Sequence, residues 1–231
     1  MDYFEAFRFP FRSPKWGMNL LYGSLMMMIP LVGPIVLLGY FGDVLDILRK
    51  DRDSAPPDLD FGRFGKNLER GIWPFLASLL ATLLIVPLFL VAATPLLAIP
   101  AMRLEGTVLL VPIGLTLVLV VVAWVAAILI MTPAHLHAME ARKIEFGAWP
   151  GFINEFIRRV GTETLVGTLC LMAGSLPLMI AGYACCIVGV YPAVTIFQYA
   201  QWHLMFQLYD LFLERGGQRI VLIGASDDWI S

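Results

Sequence analysis

Long apolar runs broken by short charged clusters dominate this chain. No Asp, Glu, Lys or Arg occurs between Arg70 and Arg103, between Glu105 and Glu140, or between Glu163 and Asp210. A helix needs about 20 apolar residues to cross a hydrocarbon core of roughly 30 Å. The first two gaps each predict one long crossing, at residues 72–100 and 106–134. The third has room for two, with a natural break at residues 182–192. The runs are continuous and do not alternate, which excludes a β-barrel.

The gap from Lys15 to Asp43 is ambiguous: one kinked span, or two short helices joined at Ile29-Pro30-Leu31-Val32-Gly33-Pro34. Each proline removes a backbone hydrogen bond, so two within five residues argue for a break. Ser13-Pro14 reads as an N-cap followed by proline at the first helical position. Positive-inside reasoning then orients the chain. The clusters Arg49, Lys50, Arg52, Arg63, Lys66, Arg70 and Arg142, Lys143, Arg158, Arg159 belong to the cytoplasm. The turn at 100–106 carries Arg103 as its only base, and the one at 182–192 carries no charge. A hairpin at 17–50 places both termini inside, so six membrane-embedded helices are expected in preference to five.

Three stretches are amphipathic at helical spacing. Trp149, Phe152, Ile153, Phe156, Ile157 and Val160 oppose Asn154, Glu155, Arg158 and Arg159; Phe61, Phe64, Leu68 and Ile72 oppose Arg63, Lys66, Asn67 and Arg70. Tyr3, Phe4, Phe7 and Phe11 repeat the pattern weakly. Such helices lie in the headgroup plane, either as lipid sensors or as plain connectors. Trp16, Phe61, Phe64, Trp73, Trp149, Phe152, Phe156, Arg158 and Arg159 are accordingly the expected membrane-interface residues.

The whole reads as one all-α integral membrane domain, 1–231, a polytopic helical bundle. It comprises an amphipathic N-terminal segment (1–16), a first hairpin (17–50) and a cytoplasmic loop with amphipathic helix (51–71). A second hairpin (72–140), a second amphipathic helix (141–162), a third hairpin (163–215) and a cytoplasmic tail (216–231) complete it. A weak threefold repeat runs through this plan. Pro34, Pro112 and Pro192 fall early in the returning arms, and Tyr40 and Tyr199 lie further along two of them. Repeats of this kind build many transporter folds, and simple hairpin stacking also produces them.

Composition sharpens the class. The 231 residues are 59% hydrophobic and only 15% charged, against about 45–50% and about 25% in soluble domains. That excludes an ordinary soluble enzyme and a disordered protein. A net charge of −2 offers no basic field for nucleic acid. No short apolar N-terminal region is followed by a small-residue cleavage site, so the first apolar segment is expected to be retained. Cys170, Cys185 and Cys186 lie in apolar segments without C-x-x-C spacing and read as membrane-core cysteines.

The N-terminal third resembles an uncharacterised family of bacterial and archaeal membrane proteins, domain-of-unknown-function family 4013. The resemblance is carried by Phe9-Pro10-Phe11, Pro14-Lys15-Trp16, Gly23, Ile29-Pro30, Gly33-Pro34, Gly39-Tyr40, Leu48-Arg49, Pro56-Pro57, Asp60 and Gly71. It extends over roughly residues 9–75 by motif and over the remainder by hydropathy. It implies a polytopic membrane fold and brings no established activity.

Chemistry is sparse. Charge-free helices leave no carboxylate relay for an ion-driven pump. His135, His137 and His203 are the candidates for a cofactor ligand. His135 and His137 point about 200° apart on one helix and cannot chelate one ion together. His137 shares a face with Glu140, and His203 could approach from the last helix. Ser24, Ser78 and Ser175 have no His–Asp pair near them in sequence, and no G-x-S-x-G, Walker or dinucleotide motif occurs. No cofactor, no metal and no enzymatic activity are expected.

Small residues at four-residue spacing are the expected helix-packing positions, within the bundle or toward another subunit. They are Ala77 and Ala81, Ala123 and Ala127, and Ala181, Cys185 and Gly189. These features point to a non-catalytic accessory or scaffold subunit of a larger assembly in the cytoplasmic (inner) membrane. Its expected partners are the bilayer and other membrane proteins. The alternative is a passive carrier or flippase-like protein for lipids or other apolar molecules, which calls for a central cavity lined by Tyr40, Tyr199, Gln198 and Gln201.

Overall fold

The computed structural model describes residues 1–103, 105–142, 147–185 and 188–220. Lys143, Cys186 and the tail beyond Ile220 lie outside that set. Among the described residues all regular structure is helical: α1 (Tyr3–Arg8), α2 (Trp16–Met27), α3 (Val32–Lys50), α4 (Phe64–Ala93), α5 (Ala98–Met102), α6 (Leu110–Ala141), α7 (Trp149–Ala184) and α8 (Val190–Glu214). Short 3-10 turns join several of them.

The apolar gaps fold as helix pairs. α2 turns into α3, α4 returns through α5 as α6, and α7 returns as α8. The breaks follow the sequence: Leu31 takes φ +63° between α2 and α3, Arg103 takes φ +48° after α5, and α7 ends at Ala184. Pro34, Pro112 and Pro192 each occupy the third position of their returning helix. In a first turn the missing N–H leaves no helical carbonyl unpaired. The weak repeat therefore has a structural counterpart, the same proline register in α3, α6 and α8.

Among the described residues, three stretches are long and apolar enough to cross a membrane: Phe61–Met102, Gly106–Ala141 and Trp149–Ala184. Only 22%, 17% and 17% of their apolar windows are buried inside the protein, so most of that surface faces outward. α3 and α8 have the opposite character, with 11 of 19 and 12 of 25 residues buried. Phe9, Tyr40, Phe41, Leu45, Tyr199 and Trp202 belong to one core in which aromatic rings pack among Leu, Val and Met side chains. Because protein covers α8, it accommodates Gln198, Gln201, His203 and Gln207 where lipid would demand uniform apolarity.

Two of the three amphipathic stretches are not separate helices, whereas the weak one near the N-terminus forms α1 and the 3-10 turn after it. The one at 61–72 is a 3-10 turn, Phe61–Arg63, that leads into the opening of α4, which continues to Ala93. The one at 149–160 is the opening of α7, set off only by a kink at Val160 (φ −136°). Ser13 does not start α2 as an N-cap; the helix begins at Trp16, and the Ser13 hydroxyl accepts from the Lys15 N–H at 3.3 Å. The N-terminal segment packs on protein as well. Phe9 is buried against Tyr199 and His203, and the Gln207 amide exchanges two hydrogen bonds with the Asp2 backbone.

Candidate functional site

Two polar constellations organise this protein, and both lie where different helix pairs meet. The first is an ionic base. Gly42 on α3 leaves room for the Arg70 guanidinium of α4, which a Cβ at that position would strike. Arg70 thereby reaches Asp43 (2.6 Å) and Asp46 (2.8 Å), with Arg63 on the second Asp43 oxygen (2.9 Å). Arg142, just past α6, bonds Asp46 at 3.1 Å, and Arg49 pairs with Glu140. Arg52 reaches Asp210 of α8 at 3.1 Å.

The charged ends of α3, α4, α6 and α8 are thus ion-paired to one another, and every arginine involved belongs to a cluster that the positive-inside pattern assigns to one side. Burial first, and then the Arg70 cation, lower the Arg142 guanidinium below its ordinary range, while Asp46 and Asp43 pull it back. The Asp43 and Arg70 side chains keep only 10% exposure each. Neither ion is well hydrated, so each depends on its partner for compensation.

The second constellation is a clasp on the loop after α3. The Tyr40 hydroxyl donates to the Pro57 carbonyl at 2.7 Å and accepts from the Tyr199 hydroxyl at 2.8 Å. The Asn19 amide donates to the same carbonyl (3.2 Å), and its oxygen accepts from the Leu59 N–H (2.9 Å). Lys15 closes the edge on Asp58 at 2.5 Å, and that hydrogen bond holds its ammonium above the ordinary lysine range. Pro56 and Leu59 are buried beneath. Asn19 is the residue that sequence reasoning misses; a lone Asn in the apolar run after Lys15 is the available signal.

The histidines do not converge. His135 shares a 2.5 Å hydrogen bond with Ser78 across α4 and α6, and Ser78 also bonds the Pro74 carbonyl at 2.7 Å. No Asp or Glu is bonded to the His135 ring among the described residues. The pair lacks the third group that orients a catalytic base, and it cross-links two helices. His137 packs against the Phe152 ring, while His203 stacks on Phe9 at 4.7 Å and contacts Gln207 at 3.0 Å. Glu140 is taken by Arg49. Among the described residues no three His, Cys, Asp or Glu side chains gather as a metal-binding group.

The packing positions divide. Ala77, Ala81, Ala123 and Ala127 are buried, and Ala77 clusters with Ala134, Ala138 and Trp149. Ala181 and Cys185 are exposed instead. The close approach of α7 and α8 is made one position along from Ala181, by Gly182 against Gly189. A Cβ on either would meet the other's carbonyl oxygen at 2.8 or 2.7 Å.

The interface residues divide too. Trp16, Phe61, Trp73 and Arg158 are exposed, and Phe64, Phe152 and Arg159 half-buried. Trp149 and Phe156 are buried, Phe156 against Phe152 and Phe212. Protein and not lipid covers those two, because the opening of α7 packs on α6 and α8. Arg159 bonds Glu155 and the Arg215 carbonyl. Arg158 lines an open groove of about 400 Å³ with Asn154, Glu155 and Arg159.

Several residues that carry the family resemblance have structural counterparts. Gly33 meets the Met26 carbonyl, Gly39 the Asn67 backbone and Gly71 the Ile35 carbonyl, while Gly23 meets the Thr195 side chain. Tyr40 and Pro57 form the clasp. Together these features define a protein that is all-helical over its described residues, with membrane-compatible helices packed beside a polar-clasped core. The chain belongs to the family described as protein of unknown function (DUF4013), whose model matches residues 22–197. No curated protein and no solved structure matches it.

Proposed function

We propose that this protein is a non-catalytic subunit of a larger membrane assembly, a scaffold that works by packing. The observation that carries this is the bareness of the α4–α6 pair. Past Ala81, the residues Thr82, Leu83, Leu84, Val86, Pro87 and Leu88 are all exposed, and within that stretch Ile85 alone turns inward. On α6, Leu115, Leu117, Val118, Val121 and Val122 are exposed as well. The small residues of this pair are already used inside it, at Ala77, Ala81, Ala123 and Ala127. What remains is an apolar arm free on most of its circumference, open to lipid and to helices of another subunit.

In this reading α2, α3, α4, α6, α7 and α8 are the six embedded helices, and the ionic base faces the cytoplasm with both termini. The arginine-rich clusters at that base support the orientation through the positive-inside rule. The packed Tyr40–Tyr199 pair favours a scaffold over a carrier, because residues that would line a passage are bonded to each other.

The test is a tagged chain solubilised gently from native membranes. A protein recovered in constant stoichiometry, and lost when Leu83 and Val118 are both changed to Trp, is the expected result. Parent-like melting of that variant would show that the arm itself still folds. Recovery of the chain alone, or with lipid only, overturns the subunit reading.

A further inference from the structure

The α2–α3 pair is bracketed by charge at both feet and contains none between them. One foot is Lys15, paired with Asp58, both well exposed at 64% and 47%. The other is Asp43, held by Arg63 and Arg70. With a rise of about 1.5 Å per residue, the 12 residues of α2 climb about 18 Å, and the 12 residues of α3 from Val32 to Asp43 descend about the same distance. The two legs match each other, and both fall roughly 12 Å short of a 30 Å hydrocarbon core.

The tip is apolar and bare. Met28, Ile29, Leu31 and Val32 are all exposed, Leu31 to 69%. Most of its backbone donors are paired locally. The N–H groups of Met28, Ile29, Val32, Gly33 and Ile35 donate to carbonyls of the turn or of the end of α2, Pro30 and Pro34 have none to satisfy, and the Leu31 N–H is left without such a bond. Irregular backbone in hydrocarbon is otherwise costly, because no solvent replaces the missing partners. Below the tip the legs are fixed, α2 by Gly23 against Thr195 of α8 and α3 by Gly39 against Asn67 of α4.

We propose that α2–α3 is a half-depth hairpin. It enters and leaves the bilayer through the face that holds the ionic base, and seats the tip at residues 28–32 among the acyl chains of that one leaflet. The occupant follows from the short legs, the matched charged feet and the bare apolar tip. A tip in water would have no reason to expose four large apolar side chains.

The test uses the full chain with its three cysteines replaced by serine, in vesicles of phosphatidylcholine and phosphatidylglycerol. Single nitroxide labels are placed through Ile29→Cys, Leu84→Cys and Arg103→Cys, and collisions with oxygen and with a water-soluble nickel chelate are measured. The expected result is oxygen-rich, nickel-poor behaviour at position 29, matching Leu84→Cys, with strong nickel access at position 103. Nickel access at 29 equal to that at 103 overturns the hairpin proposal while leaving the membrane reading intact. Nickel access at both 29 and 84 removes the membrane reading itself. A label at 29 reached by neither reagent means that protein covers the tip, which also overturns the proposal. Should Ile29→Cys fail to fold, Met28→Cys carries the label at another exposed position of the same turn.

Discussion

Tyr40 makes two hydrogen bonds and Tyr199 makes one, an asymmetry that two substitutions can read. Tyr40→Phe strands the buried Tyr199 hydroxyl and takes a donor from the Pro57 carbonyl, which costs about 1–3 kcal/mol. Tyr199→Phe leaves the Tyr40–Pro57 bond in place and costs less. Thermal unfolding in detergent should therefore rank Tyr40→Phe below Tyr199→Phe, and the reverse order would mean the clasp is not anchored at Pro57. Gly42→Ala pushes a methyl into the Arg70 guanidinium and should destabilise by about 1–3 kcal/mol. Gly65→Ala on α4 meets nothing within 4 Å and should gain up to about 1 kcal/mol from helix propensity. The same melting experiment checks both. Tyr40, Tyr199 and several glycines stand out in the sequence as residues, but their partners do not. Tyr40 and Tyr199 lie 159 positions apart, and no local spacing carries information across that distance. Asn19 is illegible for the same reason, since the groups it satisfies are loop backbone that composition cannot place.

Helix breaks are legible because their causes are local. Pro30, Arg103 and the charge-free turn at 182–192 mark helix ends through chemistry that each short segment carries itself. Helix continuity is less legible. A charged amphipathic opening and a charge-free run look like two elements in hydropathy, yet α4 joins them as one helix. In α7 the join survives only as the kink at Val160. Below it Trp149 packs with Ala134 and Ala138, and above it Gly167 meets Leu204 of α8. The small-residue stripes illustrate a third case. Spacing singles out Ala77 and Ala81, which are buried, but prefers Ala181 to its neighbour Gly182, because small residues occur on more than one helix face and only the partner decides among them. Ala81→Leu should pry α4 from α6 and lower the melting temperature by several degrees, whereas Leu83→Ala, at an exposed position, should change it little. Equal effects would mean the arm is not packed along the alanine stripe.

At the scale of the whole molecule, the charged residues act together. Asp43→Asn leaves Arg63 without its carboxylate and Arg70 with Asp46 alone, and should cost about 1.5–3 kcal/mol, the range for losing hydrogen bonds to a charged group. Adding Arg70→Met to it removes the buried cation that has lost one of its two carboxylates and should recover part of that loss. A double variant no better than Asp43→Asn alone would show that the base is not a coupled network. Charge position along the chain anticipates basic clusters at one end; which acid meets which base is invisible there, since the contacts join helices far apart in sequence. The division between inner and outer helices is also beyond hydropathy. α3 and α8 carry polar residues because they are lined by protein, and a one-dimensional profile does not separate interior helices from those that face outward.

The clasp on the loop after α3 has a consequence for how the chain can be divided. Asp51, Arg52 and Asp53 are exposed, while the stretch from Pro56 to Leu59 is held by Asn19 and Tyr40. A cut at the exposed side of this loop would open one small turn, in which Ser54 bonds Asp51, and would leave the contacts of Asn19 and Tyr40 with the loop in place. Two genes encoding residues 1–53 and 54–231 should therefore reassemble into one particle when expressed together, and the covalent link between them would prove to be a convenience of synthesis.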